Sequence, residues 1–192
     1  MTCIVGLVSK KRVYLGCDSC GSDESSKIQR SDSKIFRVLG NSKALIGFAG
    51  SFRMGQVLQY SEKLIESKAL CNHKYIVTKF IPRILDIFDK NGLIKRDESE
   101  QISIEPLLLA YKSKLFQIDT DCQVAESLCG YDAIGSGADY ALGSMATTDE
   151  FDIEPIQRIY LALKASAKFG VGISGPFHVY DTSTEKETVF ES

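Results

Sequence analysis

The sequence predicts an α+β fold in which antiparallel sheets are covered by paired helices. Its first 50 residues contain β-rich apolar runs separated by polar turns, and apolar residues then recur at helical spacing. The order is four strands, two helices, two or three strands, two helices and two strands. Because strands come in blocks, alternating βαβ units are not expected. No internal repeat or linker is apparent, so we interpret residues 1–192 as one domain.

Four strands are predicted in the N-terminal block. Residues 3–8 and 12–18 form β-rich runs around a polar turn at residues 9–11, and residues 34–38 and 44–50 form two more around a turn at residues 40–42. The polar stretch 19–33 between these pairs predicts a loop with a short strand.

Two helices follow, and then come a block of strands, a second pair of helices and a last pair of strands. The first predicted helix has Ser51 as N-cap and extends to Ile65, and the second ends at Asn91-Gly92. Pro82 within the second helix predicts a kink or the true helix start. The remaining chain predicts a hairpin around residues 112–114, a strand at 131–134, helices from about residue 138 and over 154–169, and strands at 176–180 and 187–190.

Composition sets the broad class of the protein. The chain has 192 residues, 44% of them hydrophobic and 25% charged, with a net charge of -2. Such a chain needs no disulfide or metal to stabilise its core. No basic patch predicts nucleic-acid binding. The apolar run at the N-terminus is too short for a signal sequence, and no segment has the length of a membrane span, so a cytoplasmic protein without membrane contact is expected.

Six cysteines are expected to stay reduced in such a compartment. Cys17 and Cys20 form a CxxC pair, which together with Cys71 and His73 could supply four zinc ligands. A structural zinc site usually has a second close pair at finger-like spacing, and Cys71 and His73 are too close for that. Small apolar strand residues are therefore the preferred interpretation, and no metal or cofactor is predicted.

Three residues could form a catalytic centre. Thr2 is small enough to permit removal of Met1, which would leave a hydroxyl beside a free α-amine that can take its proton. Asp18 ends one apolar strand and Lys34 begins another, so an aspartate could hold a buried lysine charged near a nucleophile. Taken singly, each has an ordinary explanation, since many chains begin Met-Thr and charged residues commonly form surface ion pairs.

A Gly-Ser-Gly segment at residues 135–137 lies between a predicted strand and helix. Such a turn could bind phosphate at the helix N-terminus. The third glycine of a dinucleotide fingerprint is absent, and the segment lies late in a chain without alternating order. Nucleotide binding is therefore disfavoured.

Together these residues resemble a known family. The most specific segments are Gly16-Cys-Asp18-Ser19, Lys34, Gly47-Phe-Ala-Gly50 and Ile134-Gly-Ser136-Gly-Ala-Asp-Tyr140-Ala. From Thr2 to about Tyr180 the chain resembles the catalytic β-type subunits of the proteasome and the peptidase half of the bacterial HslUV protease. With Thr2 as first mature residue, Asp18 and Lys34 fall at the family's spacing without a gap.

The resemblance implies a fold, a reaction and a set of site residues. It implies a four-layer α-β-β-α sandwich of two antiparallel sheets, the N-terminal nucleophile hydrolase fold, and peptide hydrolysis through an acyl-enzyme on Thr2. The Thr2 amine or a bound water would act as base, with Lys34 lowering the proton affinity of the nucleophile and Asp18 orienting Lys34. Gly50 would stabilise the oxyanion through its N–H, and Ser136 would bond near the Thr2 amine.

The resemblance also implies a substrate pocket and partners. The residues expected around an apolar, narrow pocket are Phe48 and Phe52 in its wall and Gly21, Ser22, Asp32 and Phe36 near its rim. Peptides or unfolded proteins are the expected substrates. A homo-oligomer of stacked rings is expected, with contacts through the helical surface between residues 51 and 90, and an ATP-dependent unfoldase is a possible partner.

One position departs from the family pattern. Proteasome subunits usually carry an aspartate three residues before Ser-Gly-Gly, whereas here Val171 precedes Ser174-Gly175-Pro176. The bacterial peptidase also lacks this aspartate, which favours that branch. Two alternatives stay open: a catalytically silent ring scaffold, and a hydrolase of the same superfamily acting on non-peptide amides. While Met1 is attached, the Thr2 nitrogen is an amide and cannot act as a base.

Overall fold

Fourteen strands are present in the part of the chain that the computed structural model describes, residues 1–22, 26–66, 71–96 and 102–191. They are β1 (Ile4–Ser9), β2 (Arg12–Cys17), β3 (Cys20–Ser22), β4 (Lys27–Gln29), β5 (Ile35–Val38), β6 (Asn41–Phe48), β7 (Lys95–Arg96), β8 (Ile102–Ser103), β9 (Leu107–Tyr111), β10 (Lys114–Ile118), β11 (Val124–Ala125), β12 (Tyr131–Ile134), β13 (Phe177–Asp181) and β14 (Glu187–Phe190).

Ten of these strands form two five-stranded sheets in which every pairing is antiparallel. The first sheet has the order β12-β1-β2-β13-β14 and the second the order β11-β10-β9-β6-β5. The strands β3 and β4 pair as a separate hairpin, where only one short strand was predicted, and β7 pairs with β8.

The helices follow the predicted order with changed boundaries. They are α1 (Phe52–Gln59), α2 (His73–Tyr75), a π-helical turn (Ile76–Phe80), α3 (Ile81–Lys90), α4 (Ala138–Thr148) and α5 (Pro155–Phe169). Ser51 caps α1 as predicted, since its Oγ accepts from the Met54 N–H at 3.3 Å. The helix ends at Gln59 rather than Ile65, but Ile65 is buried in the same core.

Pro82 marks the start of α3 and does not interrupt the helical course of the chain. The residue before it, Ile81, donates its N–H five residues back to the Ile76 carbonyl, so the wider π-helical turn leads directly into α3. Pro82 has no N–H to donate, and the change from the π-helical turn to α3 falls directly before it. It therefore marks the start of α3 within a helical course that begins at His73.

Three apolar cores separate four layers. Leu15, Leu45 and Leu108 lie between the two sheets. A second core, which includes Phe80 and Phe88, packs α1 and α3 against the second sheet, and a third packs α4 and α5 against the first. Neighbouring residues of β1 alternate between cores, as the period of a strand requires. This arrangement confirms the predicted α-β-β-α sandwich of two antiparallel sheets.

No helix among the described residues is long and apolar enough to span a membrane.

Candidate active site

Thr2 is held in a cradle formed by the loop after β12. Its carbonyl oxygen accepts from the Gly137 N–H at 3.1 Å, and its N–H donates to the Ser136 Oγ at 3.2 Å. Gly135 has φ +91°, and a Cβ there would lie 2.4 Å from the Thr2 carbonyl oxygen. The Gly-Ser-Gly segment thus binds the backbone of Thr2, the contact predicted for Ser136, and its first glycine is required by this close approach.

Asp18 and Lys34 form a fully buried ion pair beside Thr2. The Lys34 Nζ lies 2.8 and 2.9 Å from the two carboxylate oxygens of Asp18 and donates to the Cys20 carbonyl at 2.7 Å. The carboxylate also accepts from the Cys3 and Cys20 N–H groups at 2.9 and 3.0 Å. The side chains of Lys34 and Asp18 are 1% and 0% exposed, so this ion pair is rigid and shielded from solvent.

The Thr2 hydroxyl and the Lys34 ammonium meet at one carbonyl oxygen. The Thr2 Oγ1 donates to the Met1 oxygen at 2.7 Å, and the Lys34 Nζ donates to the same atom at 3.2 Å. The Met1 ammonium in turn donates to the Ser22 Oγ at 2.8 Å. The nucleophile candidate and the buried cation therefore face the bond that joins Met1 to Thr2. In this covalent form the Thr2 nitrogen is an amide and has no basic lone pair.

Gly50 follows β6 in a backbone conformation that favours glycine. Its φ is +87°, and a Cβ would lie 2.2 Å from the Glu105 Oε2. The preceding Ala49 N–H donates to the Pro106 carbonyl at 3.2 Å, which ties this turn to the segment before β9. Glu105 was not predicted as a site residue, because a single glutamate in a short loop has no distinguishing sequence pattern.

A buried pair of polar side chains lies behind the Thr2 cradle. The Cys3 Sγ donates to the Ser166 Oγ at 3.3 Å, and the Ser166 Oγ lies 2.9 Å from the Gly137 carbonyl. Burial raises the pKa of the Cys3 thiol to about 12, so it is uncharged at neutral pH and cannot act as a thiolate nucleophile. Ser166 was not predicted as a site residue, since a serine on a helix has no distinctive sequence signal.

Val171 stands where proteasome subunits usually carry an aspartate, three residues before Ser174. It is a surface residue with 77% of its area exposed. The neighbouring segment is instead fixed by Ser19, whose N–H donates to the Ser174 carbonyl at 3.1 Å and whose Oγ donates to the Pro176 carbonyl at 2.5 Å. Support for Ser136 therefore comes from Thr2 itself and from the Ser166 contact to Gly137.

The predicted pocket residues separate into two groups. Gly21, Ser22 and Phe52 line an open cleft of about 210 Å³, together with Ser26, Ile28 and Arg30. Phe36 and Phe48 lie instead in the core below α1. Their placement differs from the predicted pocket wall and rim.

A physical reason for this difference is the absence of a side chain at Gly55. The ring of Phe48 occupies the space that a Gly55 Cβ would need, 2.3 Å from its position, and Phe48 is only 4% exposed. Asp32 does not line the cleft either. Its carboxylate binds Arg30, and these hydrogen bonds hold the pKa of Asp32 below its ordinary value.

The cysteine and histidine residues of the zinc alternative lie apart. The Cys71 Sγ lies 2.9 Å from the Tyr111 carbonyl and the His73 Nε2 lies 3.0 Å from the Val124 carbonyl, whereas Cys17 is buried between the sheets. Within the described ranges, no group of three or more His, Cys, Asp or Glu side chains is arranged to hold a metal ion.

The layered fold with Thr2 leading into β1 has the architecture of the N-terminal nucleophile hydrolases. Within that class, the chain belongs to the proteasome subunit family, which matches residues 1–169. It is 25% identical over 169 residues to the ATP-dependent protease subunit HslV of Caldicellulosiruptor saccharolyticus, covering 86% of this chain and 89% of that protein. The resemblance predicted from sequence is thus confirmed.

Solved structures show the same fold. Thiobacillus denitrificans BPH superposes with a TM-score of 0.78 at 20% identity, covering 93% of this chain and 96% of that chain. The same protein in complex with epoxomicin gives a TM-score of 0.77 at 18% identity, covering 93% and 97%. Eukaryotic HslV from Trypanosoma brucei gives a TM-score of 0.66 at 18% identity, covering 93% and 98%.

Proposed function

We propose that this protein is a threonine peptidase that hydrolyses peptide bonds through an acyl-enzyme on Thr2 after removal of Met1. The observation that carries the proposal is the meeting of the Thr2 hydroxyl and the buried Lys34 ammonium at one carbonyl oxygen. A carbonyl in that place is next to a nucleophile and a fixed positive charge. Membership of the proteasome subunit family and the relation to an ATP-dependent protease subunit support the same reaction.

Removal of Met1 supplies the base. The Thr2 nitrogen, which now donates to the Ser136 Oγ, becomes an α-amine whose ordinary pKa is about 7.7–8.0. It can then accept the hydroxyl proton at neutral pH, directly or through a water. The Lys34 charge stabilises negative charge on the Thr2 oxygen, and Asp18 holds Lys34 in place with two further backbone donors on its carboxylate.

The reaction then has two balanced stages. The Thr2 oxygen adds to the substrate carbonyl as its proton passes to the α-amine, and the resulting oxyanion accepts from the Gly50 N–H, an interaction worth roughly 3–4 kcal/mol. The amine returns the proton to the departing nitrogen, which leaves an ester on Thr2. Water then adds to the ester, giving a proton to the amine, and collapse of this intermediate frees the acid and restores the Thr2 hydroxyl.

We further propose that the active form is a homo-oligomer of stacked rings in the cytoplasm, fed with unfolded protein by an ATP-dependent unfoldase. Closed symmetry is the usual outcome of self-association. Both helical layers expose aromatic side chains: Tyr60, at the end of α1, is 75% exposed, and Phe169, at the end of α5, is 62% exposed. Residues 67–70 of the predicted contact surface lie outside the described residues. Sedimentation is expected to show particles much larger than 21.2 kDa, and a stable monomer at micromolar concentration would contradict ring assembly.

Hydrolysis of a fluorogenic peptide by matched variants tests the reaction. Thr2→Ala is expected to abolish hydrolysis without changing assembly, while Cys3→Ala retains it, because the Cys3 thiol is buried on the opposite side of the cradle. Thr2→Ser keeps a hydroxyl and is expected to retain measurable activity. Retained activity in Thr2→Ala would overturn the proposal.

The same assay separates the alternatives. Rings that retain Met1 and show no hydrolysis by the wild-type protein would indicate a catalytically silent ring scaffold. Hydrolysis confined to non-peptide amides would indicate a hydrolase of the same superfamily that acts on such amides.

A further inference from the structure

Arg30 bridges the two walls of the cleft beside Thr2. Its guanidinium carbon lies 3.9 Å from the centre of the Phe52 ring, so the charged group covers one face of that ring. The stem of the same side chain lies against Gly21, where a Cβ would be 2.8 Å from the Arg30 Cδ and 3.2 Å from its Cγ. Gly21 and Phe52 are residues for which pocket roles were predicted, and Arg30 connects them.

The Arg30 side chain is fixed in this position. Its Nε and Nη2 donate to the two carboxylate oxygens of Asp32 at 2.7 and 2.5 Å, a bidentate geometry that holds both the charge and the plane of the guanidinium. The backbone N–H of Arg30 donates to the Ser19 carbonyl at 2.9 Å, so the main chain is anchored as well.

The cleft opens next to the reacting groups. Ser22 lines it and also binds the Met1 ammonium, while the Lys34 Nζ lies 5.8 Å from the centre of the Phe52 ring and 3.2 Å from the Met1 oxygen. A substrate whose carbonyl occupies the place of the Met1 oxygen would therefore put a neighbouring side chain close to Phe52 and Arg30.

We propose that Arg30 is a specificity-determining residue, which closes the Phe52 face of this cleft and restricts the residue before the cleaved bond to small side chains such as alanine or serine. The inference rests on the proposed function and goes beyond it by naming the substrate class. Size rather than charge is the selected property, because Asp32 compensates the Arg30 charge through two hydrogen bonds. Arg30 occupies the space beside the Phe52 ring that a larger substrate side chain would need.

The test compares Arg30→Ala with Arg30→Met on fluorogenic peptides that differ only in the residue before the cleaved bond: alanine, leucine or glutamate. Methionine keeps most of the length of arginine without its charge, so it preserves the cover. The wild type is expected to prefer alanine. Arg30→Ala is expected to raise the leucine-to-alanine ratio of kcat/KM by about tenfold or more, since a hydrophobic pocket discriminates even one methylene by roughly 10–200-fold. Arg30→Met is expected to leave that ratio within about threefold of the wild type.

Two further variants complete the comparison. Asp32→Asn weakens the bidentate pair and is expected to raise the ratio part of the way. Arg53→Ala removes an exposed positive charge next to Phe52 and is expected to leave the ratio unchanged. Thermal unfolding of each variant checks that the fold is retained.

Distinct outcomes overturn distinct statements. An unchanged leucine-to-alanine ratio in a folded, active Arg30→Ala would overturn the role of Arg30 while leaving the peptidase intact. A wild-type preference for glutamate that both Arg30→Ala and Arg30→Met abolish would show selection by charge and overturn the size argument. Absence of hydrolysis by the wild type for every peptide would overturn the proposed function and this inference with it.

Discussion

Replacing Lys34 by methionine tests whether the buried ion pair is as tightly integrated as its contacts indicate. The substitution keeps a long side chain of similar volume but removes an ammonium that contacts both Asp18 oxygens and the Cys20 carbonyl. It leaves the Asp18 carboxylate buried, with only the N–H groups of Cys3 and Cys20 as described donors. We therefore expect a large loss of stability and a loss of hydrolysis.

The magnitude follows from the burial of both partners. Removing one member of a buried pair typically costs about 3–5 kcal/mol, because the other charge stays uncompensated. Two backbone donors remain on Asp18, so we expect a value near the lower end, about 3 kcal/mol. The double variant Asp18→Asn, Lys34→Met removes both charges, and its loss should be smaller than the sum of the single losses by about 2 kcal/mol.

Urea unfolding at one fixed protein concentration provides the measurement, since oligomers have concentration-dependent stability. Lys90→Met is the matched control: its ammonium lies 2.6 Å from Asp86, but the two side chains are 70% and 60% exposed. An exposed pair at this spacing is worth about 0.3–0.5 kcal/mol. If Lys34→Met cost no more than Lys90→Met, or if the two single losses were additive, the account of a shielded, coupled pair would be refuted.

Three further predictions concern the surroundings of Thr2. Gly50→Ala places a side chain at φ +87°, which should cost about 1–2 kcal/mol and lower kcat by at least about tenfold if the turn positions the oxyanion donor; unchanged kinetics would exclude that role. Ser166→Ala removes a buried hydroxyl and should lower the free energy of unfolding by about 1–3 kcal/mol, and a change near zero would show that its hydrogen bonds are dispensable. The pKa of Cys3 is raised from 9.0 to about 12, so the unfolded thiol ionises first and stability should fall as pH rises through this window; Cys3→Ala should reduce the fall, and an identical pH profile would contradict the shift.

The arrangement of Thr2, Asp18 and Lys34 was predictable because the pairing of neighbouring strands brings these residues together. Pairing of β1 with β2 places Ile4 opposite Cys17, and the Asp18 N–H donates to the Cys3 carbonyl, so a short turn brings Asp18 back beside the start of the chain. The layered architecture was predictable from the blocks of strand-like and helix-like apolar residues. Each helical layer buries one face and each sheet buries both, and this burial sets the spacing of apolar residues along the chain.

The pocket was less predictable because an aromatic residue fits a core as well as a pocket wall. Phe48 is buried in the core because Gly55 leaves room for its ring, a contact between two elements that spacing along the chain does not reveal. Arg30 lies in a polar stretch without periodicity, and only the hairpin of β3 and β4 brings it over Phe52. The end of α1 was overestimated because Leu64 and Ile65 keep the apolar pattern beyond the helix while packing into the same core.

Intact-protein mass spectrometry before and after incubation with a peptide epoxyketone tests the central claim most directly. The two electrophilic carbons of this reagent can react with a hydroxyl and an adjacent amine, which Thr2 offers together only after Met1 has been removed. The account predicts a mass that lacks Met1 and a single adduct that fragmentation places on Thr2, with no adduct in Thr2→Ala. A protein that keeps Met1 throughout and forms no adduct at Thr2 would contradict the account.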